Sequence, residues 1–332
     1  MERSVRQRWW AGSLAGIMLM AGMAAMSAER MSKKAAESES SELEATESIP
    51  EVDLGDQTRA VVNVSVANVR LAPKHQAELM NQLLLGSPVT LLHHKANWFQ
   101  VQSPDGYTGW VERQELARMT EAQLKAWMTS PQIIITAFHD WIWEQPDAKS
   151  LPVSDLASGI ILKRLSSSGG WIKVELPDGR TGHIQRQSGT EFETWKRSAR
   201  GTPANIERVA KTFLGVPYLW GAASTKATDC SGFTKSVFML NGISLLRDAR
   251  IQATQGKEVD PGVAFEKLQK GDLLFFAGNS KKPGDVTHVA IYLEKGLFIH
   301  ASGQVRFNSF DPKSPLFAEN RLKTFVSARR IL

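Results

Sequence analysis

One cysteine in 332 residues excludes an internal disulfide, so stability outside a reducing compartment has to come from packing alone. It also leaves no close paired ligands of the kind most zinc motifs use; one Cys with two distant His is the only such set to weigh. No cysteine follows the N-terminal apolar run, which rules out a lipid anchor there. Arginine-rich runs and aromatic–basic interleaving are missing too, and with them any footprint for nucleic acid. Residues 29–58 lack a periodic apolar face and centre on Ser38-Glu39-Ser40-Ser41-Glu42, a composition that cannot offset the entropy of ordering, so a disordered tether is expected.

Ahead of the tether, Arg3, Arg6 and Arg8 precede an almost uncharged apolar stretch over residues 9–25, and Met26-Ser27-Ala28 offers small residues before Glu29. This is the pattern of a secretory signal over residues 1–28, and it predicts export to the periplasm or cell envelope. The apolar run approaches the ~20 residues that span a bilayer, so an uncleaved anchor is the alternative. The signal carries three basic and one acidic residue, the tether three and nine. Since the chain totals +6, residues 59–332 hold +10, a bias suited to an anionic wall or membrane surface.

The lone cysteine lies in Thr228-Asp229-Cys230-Ser231-Gly232-Phe233, just before a helix-spaced apolar run. A helix N-terminus favours negative charge, so Cys230 is expected to ionise readily. Far downstream, Val286-Thr287-His288-Val289-Ala290-Ile291-Tyr292-Leu293 and Leu297-Phe298-Ile299-His300-Ala301-Ser302 read as strands joined by a Lys295-Gly296 hairpin turn, which would set both imidazoles on one side. Cys230 as nucleophile, His288 as base and His300 as orienting group would make an acyl-transfer triad; a buried cysteine with two satisfied core histidines is the competing structural reading.

Five segments in order, Pro217-Tyr218-Leu219-Trp220-Gly221, Asp229-Cys230-Ser231-Gly232-Phe233, Gly271-Asp272-Leu273-Leu274-Phe275-Phe276, His288-Val289-Ala290-Ile291-Tyr292 and Ile299-His300-Ala301-Ser302, resemble the signatures of the NlpC-type (NlpC and p-sixty) cysteine peptidases over roughly residues 200–332. The resemblance implies an α+β papain-like domain that cleaves bacterial cell-wall stem peptides, with Cys230, His288 and His300 catalytic and Tyr218 near the oxyanion. It implies no metal and no organic cofactor. Ala222 stands where many relatives have a second glycine. Thr202-Pro203 should open a helix, carrying Ile206, Val209, Ala210, Phe213 and Leu214 on its apolar face.

Between tether and peptidase runs a repeat. Residues 97–114 align without gaps to residues 170–187 at an offset of 73, which Pro73/Pro146 and Gly86/Gly159 also keep. Short alternating strands around a Pro-Asp-Gly turn predict two small all-β barrels of about 60 residues. They are similar to bacterial Src-homology-three-like barrels. The boundaries expected are 59–118 and 130–190, a linker helix over 119–129 and the peptidase from 191 to 332. Trp98 and Trp171, each opening a strand, are expected in core or rim packing.

At the turn tip the first unit has Tyr107 where the second has Arg180. Tandem-barrel members of the family that cut after L-Ala-γ-D-Glu place such a tyrosine against the free amine of the substrate. They also have an Arg-Asp pair like Leu246-Arg247-Asp248-Ala249. The resemblance thus implies Tyr107, Asp229 and Asp248 at the amine, Arg247 at the D-Glu α-carboxylate, and Ser231 and Tyr218 on the substrate side. The plain alternative makes Arg247 and Asp248 a helix-start pair. Relatives carry a glutamate beside the early glycine of the first barrel, whereas Gly86 is followed here by Ser87, so weaker amine selection is expected. The expected activity is hydrolysis of the γ-D-Glu–diamino acid bond in stem peptides or released muropeptides. A non-catalytic wall-binding protein and an endopeptidase or amidase on intact murein are the alternatives.

Overall fold

A computed structural model describes residues 53–278 and 285–332. The expected signal over 1–28 and the tether as far as residue 52 lie outside the described residues. No helix among those described is long and apolar enough to cross a membrane.

The repeat folds twice to one topology. Strands β1 (Arg59–Val62), β2 (Val66–Arg70), β3 (Leu79–Leu84), β4 (Pro88–Lys95), β5 (Trp98–Gln102), β6 (Thr108–Glu112) and β7 (Leu116–Met119) form one sheet in the order β3-β2-β6-β5-β4-β1-β7. The second set is β8 (Gln132–Ile135), β9 (His139–Trp143), β10 (Pro152–Ala157), β11 (Ile161–Ser168), β12 (Trp171–Glu175), β13 (Thr181–Gln185) and β14 (Gly189–Glu191); its order, β10-β9-β13-β12-β11-β8-β14, is the same with every strand shifted by seven. Each barrel closes on its own apolar core, around Phe99, Val101 and Val111 in the first and Ile142, Val174 and Ile184 in the second. The Pro-Asp-Gly turns match as well: Gly106 N–H donates to Ser103 O and Gly179 N–H to Leu176 O. Trp98 is buried and Trp171 half-buried at the rim.

Helix α1 (Glu121–Thr129) links the barrels, with Thr120 and Gln123 closing a reciprocal capping box and Trp127 buried beside Val61 and Met119. Residues 53–58, read as the end of a disordered tether, instead lie on the first barrel. Arg118 donates to the carbonyls of Leu54 and Gln57, and Leu54 packs on the barrel core.

The last unit has α2 (Phe192–Ser198), α3 (Pro203–Thr212), α4 (Cys230–Met239), α5 (Ala249–Gln252), α6 (Glu319–Thr324) and a sheet ordered β15-β20-β16-β17-β18-β19. Its strands are β15 (Lys257–Val259), β16 (Leu273–Ala277), β17 (Val286–Glu294), β18 (Leu297–Ser302), β19 (Gln304–Ser309) and β20 (Phe325–Arg330). Thr202 caps α3 by accepting from Asn205 N–H, with Pro203 in the first turn. Ile206, Val209, Ala210 and Phe213 are buried, but Leu214 falls past the helix end and is 41 % exposed, so the helical period fails for it. Lys295 (φ 50°) and Gly296 (φ 78°) make the expected tight turn.

One glycine of the repeat docks each barrel on the unit after it. Gly86 (φ +87°) brings its backbone so close to the second barrel that a Cβ would lie 1.9 Å from the Ile161 carbonyl oxygen; at Gly159 (φ +92°) a Cβ would lie 2.5 Å from Met239 Cε of α4. Gly86→Ala therefore combines left-handed strain with a backbone clash and should cost about 2 to 3 kcal/mol. Gly169→Ala, at φ +55° in open space, should cost about 1 kcal/mol. Calorimetry should show a clearly larger fall in the first unfolding midpoint for Gly86→Ala; equal shifts would mean the barrels are not held by this approach.

Candidate active site

Asp229 ends an extended segment and caps α4, its Oδ1 accepting from Gly232 N–H at 2.7 Å, so Cys230 is the first helical residue. Gly232 permits the close passage of the preceding loop, for a Cβ there would meet Ala222 O at 2.1 Å. Asp229 Oδ2 accepts from Gly221 N–H at 3.0 Å, closing that loop. Arg247 grips the same carboxylate with both arms, Nη1 to Oδ1 at 3.1 Å and Nη2 to Oδ2 at 2.6 Å. It also donates to Ser231 Oγ at 2.9 Å and, from Nε, to Asn81 Oδ1 of β3 at 2.9 Å. Both charged groups are buried.

On the sheet, His288 Nε2 and His300 Nδ1 lie 2.7 Å apart, and His300 Nε2 lies 2.8 Å from Asn308 Oδ1. Asn308 Nδ2 donates to Leu316 O, which fixes the amide's orientation. Its Oδ1 can only accept, so His300 carries its hydrogen on Nε2 and accepts on Nδ1. His288 must then donate from Nε2, leaving Nδ1 without hydrogen and able to take a proton. The next residue, Val289, directs its N–H to the Cys230 sulfur, as does Ser231.

A cavity of about 500 Å³ opens beside Cys230, lined among others by Glu78, Tyr107, Trp220, Asp229, Ser231, Arg247 and Asp248. Two of these come from the first barrel. The Tyr107 turn is tied to α4 by an ion pair between Asp105 and Lys235, and Trp220 Nε1 donates to Glu78 Oε1 at 2.7 Å.

The profile of the NlpC/P60 family matches residues 215–324, and that of the bacterial SH3 domain residues 65–117. "Dipeptidyl-peptidase 6" of Lysinibacillus sphaericus is 30 % identical over 81 % of this chain and 97 % of its own length. The chain belongs to the NlpC/P60 family. A "gamma-D-glutamyl-L-lysine dipeptidyl-peptidase" of Bacillus cereus is 30 % identical over 77 % of this chain and 76 % of that protein. The crystal structure of an NlpC/P60 family protein from Bacillus cereus superposes with a TM-score of 0.71 at 26 % identity, covering 82 % and 99 % of the two chains.

Within this NlpC/P60 site the expected residues fall into three sets. Cys230, Ser231, Asp248 and Tyr107 border the cavity directly. His288 and His300 form one hydrogen-bonded row with Asn308, and Tyr218 is half-buried, close enough to Cys230 that a thiolate there would raise its phenol further above the usual value, burial being the larger cause. Asp229 and Arg247 are spent on each other: the carboxylate accepts from three side-chain or backbone groups besides the guanidinium, and four of the five Arg247 N–H vectors are taken. That leaves Arg247 little to offer the D-Glu α-carboxylate and Asp229 little to offer an amine, contrary to the sequence expectation. The helix-start alternative fails as well, because Asp248 precedes α5 without a side-chain cap bond.

Two residues escaped the sequence. The expected lack of a carboxylate, argued from Ser87, is answered by Glu78, which stands in the cavity with Tyr107. Its signal was present, since 73 residues on the second unit has Leu151, a contrast of the same kind as Tyr107 and Arg180. Asn308 had no comparable local mark.

Electrostatics reverse one expectation. Burial, followed by the Asp229 carboxylate, pushes the Cys230 thiol up to about 11, outweighing the Val289 and Ser231 N–H groups. Burial, then His300 and Arg321, hold His288 well below the usual imidazole value. Burial also lowers His300 to about 4, aided by Arg321 and Arg306 and opposed by Asn308. At rest the two groups are therefore a thiol and a neutral imidazole. Iodoacetamide should alkylate Cys230 slowly at pH 7 and faster only above the ~8.5 of a free thiol; a plateau already reached by pH 7 would show a resting ion pair.

The histidines also set an acid limit. Unfolded, His300 takes a proton below its ordinary 6.5, whereas folded it does so only near 4. Its contribution is complete above pH 6.5 and lost as pH falls to 4, up to about 3 kcal/mol in all. Denaturant unfolding of His300→Gln should show a pH slope shallower by about one proton in that window, and an unchanged slope would place the acid sensitivity elsewhere.

Proposed function

We propose that this enzyme hydrolyses the γ-D-Glu–diamino acid bond of peptidoglycan stem peptides and releases L-Ala-γ-D-Glu from peptides with a free N-terminal amine. The observation that carries the reading is the acidic lining of the cavity: Glu78 and Asp248, both near Tyr107, border the same cavity as the sulfur of a cysteine peptidase. An ammonium group fits there. Burial, and Asp229 in part, raise the Asp248 carboxyl above its ordinary value while Arg247 opposes them, and a bound cation would draw it back to the carboxylate. The names of the relatives from Lysinibacillus and Bacillus agree with a dipeptide product.

His288 Nδ1 takes the thiol proton as Cys230 Sγ attacks the γ-carbonyl carbon. The oxyanion is held by N–H groups at the start of α4 and the Tyr218 hydroxyl, which burial keeps protonated. Collapse breaks the C–N bond as His288 returns the proton to the leaving α-amine. Water, deprotonated by His288, then attacks the thioester, and collapse frees the dipeptide's γ-carboxylate and restores the thiol. His300 and Asn308 hold the His288 tautomer throughout. The barrel spanning residues 59–118 closes the amine end, and the second, over 130–190, supports it. An export signal over residues 1–28 agrees with a substrate found in the envelope.

Cys230→Ala and His288→Ala should each abolish release of L-Ala-γ-D-Glu from L-Ala-γ-D-Glu-L-Lys, and His300→Ala should slow it, as mass spectrometry of the products will read. Cleavage by a folded Cys230→Ala protein would refute the mechanism. The N-acetylated peptide should be cut at least tenfold more slowly than the free one, and Asp248→Asn should cost about 1.5 to 3 kcal/mol in kcat/KM on the free peptide only. Equal rates on both peptides would instead favour action on intact murein.

A further inference from the structure

Two guanidinium groups flank the histidine row, and among the described residues no acid answers them. Arg321 of α6 holds its Cζ 5.5 Å from the centre of the Phe276 ring, and that ring lies 5.8 Å from the His288 imidazole, its cross-strand partner. Arg306 of β19 stands opposite His300 in register. Among the described residues neither arginine has an ion-pair or side-chain hydrogen-bond partner. Arg321 is half-buried, and burial followed by repulsion from Arg306 holds it below the usual arginine value, while a Cys230 thiolate would favour its charge. A shielded, uncompensated guanidinium is costly unless an anion completes it, and its planar fork suits a carboxylate.

Position narrows the choice of anion. Glu78, Tyr107 and Asp248 line the cavity together with Cys230, whereas Arg306 and Arg321 are outside that lining and border the histidines. A peptide with its amine at Glu78 and Asp248 and its γ-carbonyl at the sulfur carries its leaving half past Cys230, and Arg321 is close enough to that sulfur to feel its charge. In a tripeptide that half carries a free α-carboxylate two bonds from the scissile nitrogen.

We propose that Arg321, assisted by Arg306, binds the free α-carboxylate of the leaving diamino acid, so that stem peptides ending at that residue are preferred to those blocked there. This rests on the proposed function and adds a specificity site to it. The test compares L-Ala-γ-D-Glu-L-Lys with its C-terminal amide and with the peptide whose D-Glu α-carboxylate is amidated. The wild-type enzyme should cut the lysine amide about tenfold less efficiently than the acid. Arg321→Gln should lose a similar factor on the acid and almost nothing on the lysine amide, Arg321→Lys should fall between, and Arg306→Gln, at an exposed side chain, should show a smaller loss of the same pattern. An Arg321→Gln enzyme slowed equally on all three peptides would overturn the proposal and assign Arg321 to the thiol or the fold. If the peptide spared by Arg321→Gln is the one amidated at D-Glu, that carboxylate is the one bound and the leaving-group assignment is wrong. Failure of the wild-type enzyme to cut any of the three would overturn the proposed function, and this inference with it.

Discussion

The buried pair of Asp229 and Arg247 is the interaction on which the rest of the site depends. Asp229 starts α4 and closes the Gly221 loop, and Arg247 extends the same network to Ser231 and to Asn81 of the first barrel. Breaking such a pair would strand a charge in the interior, at about 3 to 5 kcal/mol. Two well-packed apolar side chains would stabilise as well or better, so its value lies in fixing one geometry: helix start, loop and barrel strand share a single hydrogen-bonded node. Neighbouring bonds repeat the link, since Gln82 Oε1 of β3 accepts from Ala223 N–H and Ser224 Oγ. The barrel is thereby part of the site wall.

That rigidity shapes the chemistry. A cysteine at a helix start in water would be acidic, but here the cap that creates the helix start is an anion beside the sulfur in a buried setting, and both effects oppose ionisation. In the proposed mechanism the thiol is made usable by the directed chain from Leu316 O through Asn308 and His300 to His288. Each link accepts from the next, so the final nitrogen is left bare. In the proposed mechanism the two groups stay neutral until a carbonyl carbon arrives to accept the sulfur's electrons.

The sequence made legible what depends on near neighbours. The Thr202-Pro203 helix start, the Lys295-Gly296 turn and the twofold strand pattern at an offset of 73 each follow from a few adjacent residues, and the structure has all three. What escaped depends on contacts far along the chain. Leu214 fits the helical period but follows the last turn; Arg247 looks free until its Asp229 and Asn81 partners, 18 and 166 residues away, are placed. A helix start does favour the Cys230 thiolate, but desolvation cannot be read from a motif. Glu78 is hidden from a pattern that sets the carboxylate beside Gly86, because a different turn of the same barrel delivers one.

Divergence between the two barrels reflects which neighbour each one faces. At the turn tip of the first copy Tyr107 enters the cavity, while in the second copy Arg180 pairs with Asp178 and donates to Asn63 O of the first barrel. Glu78 faces the cavity; its counterpart Leu151 is exposed. The shared glycine does the opposite, keeping one role in both copies because both must approach a neighbour closely. The close approach of the glycine and the Asp-turn contact are thus kept in both copies, while the side chains that face the cavity in the first are not. Under the proposed binding mode, the polar differences in the first copy place carboxylates at the amine of the peptide while two arginines near the histidines meet its carboxylate. Charges of opposite sign at the two ends would then orient a zwitterionic peptide in one direction only, with its γ-carbonyl at Cys230.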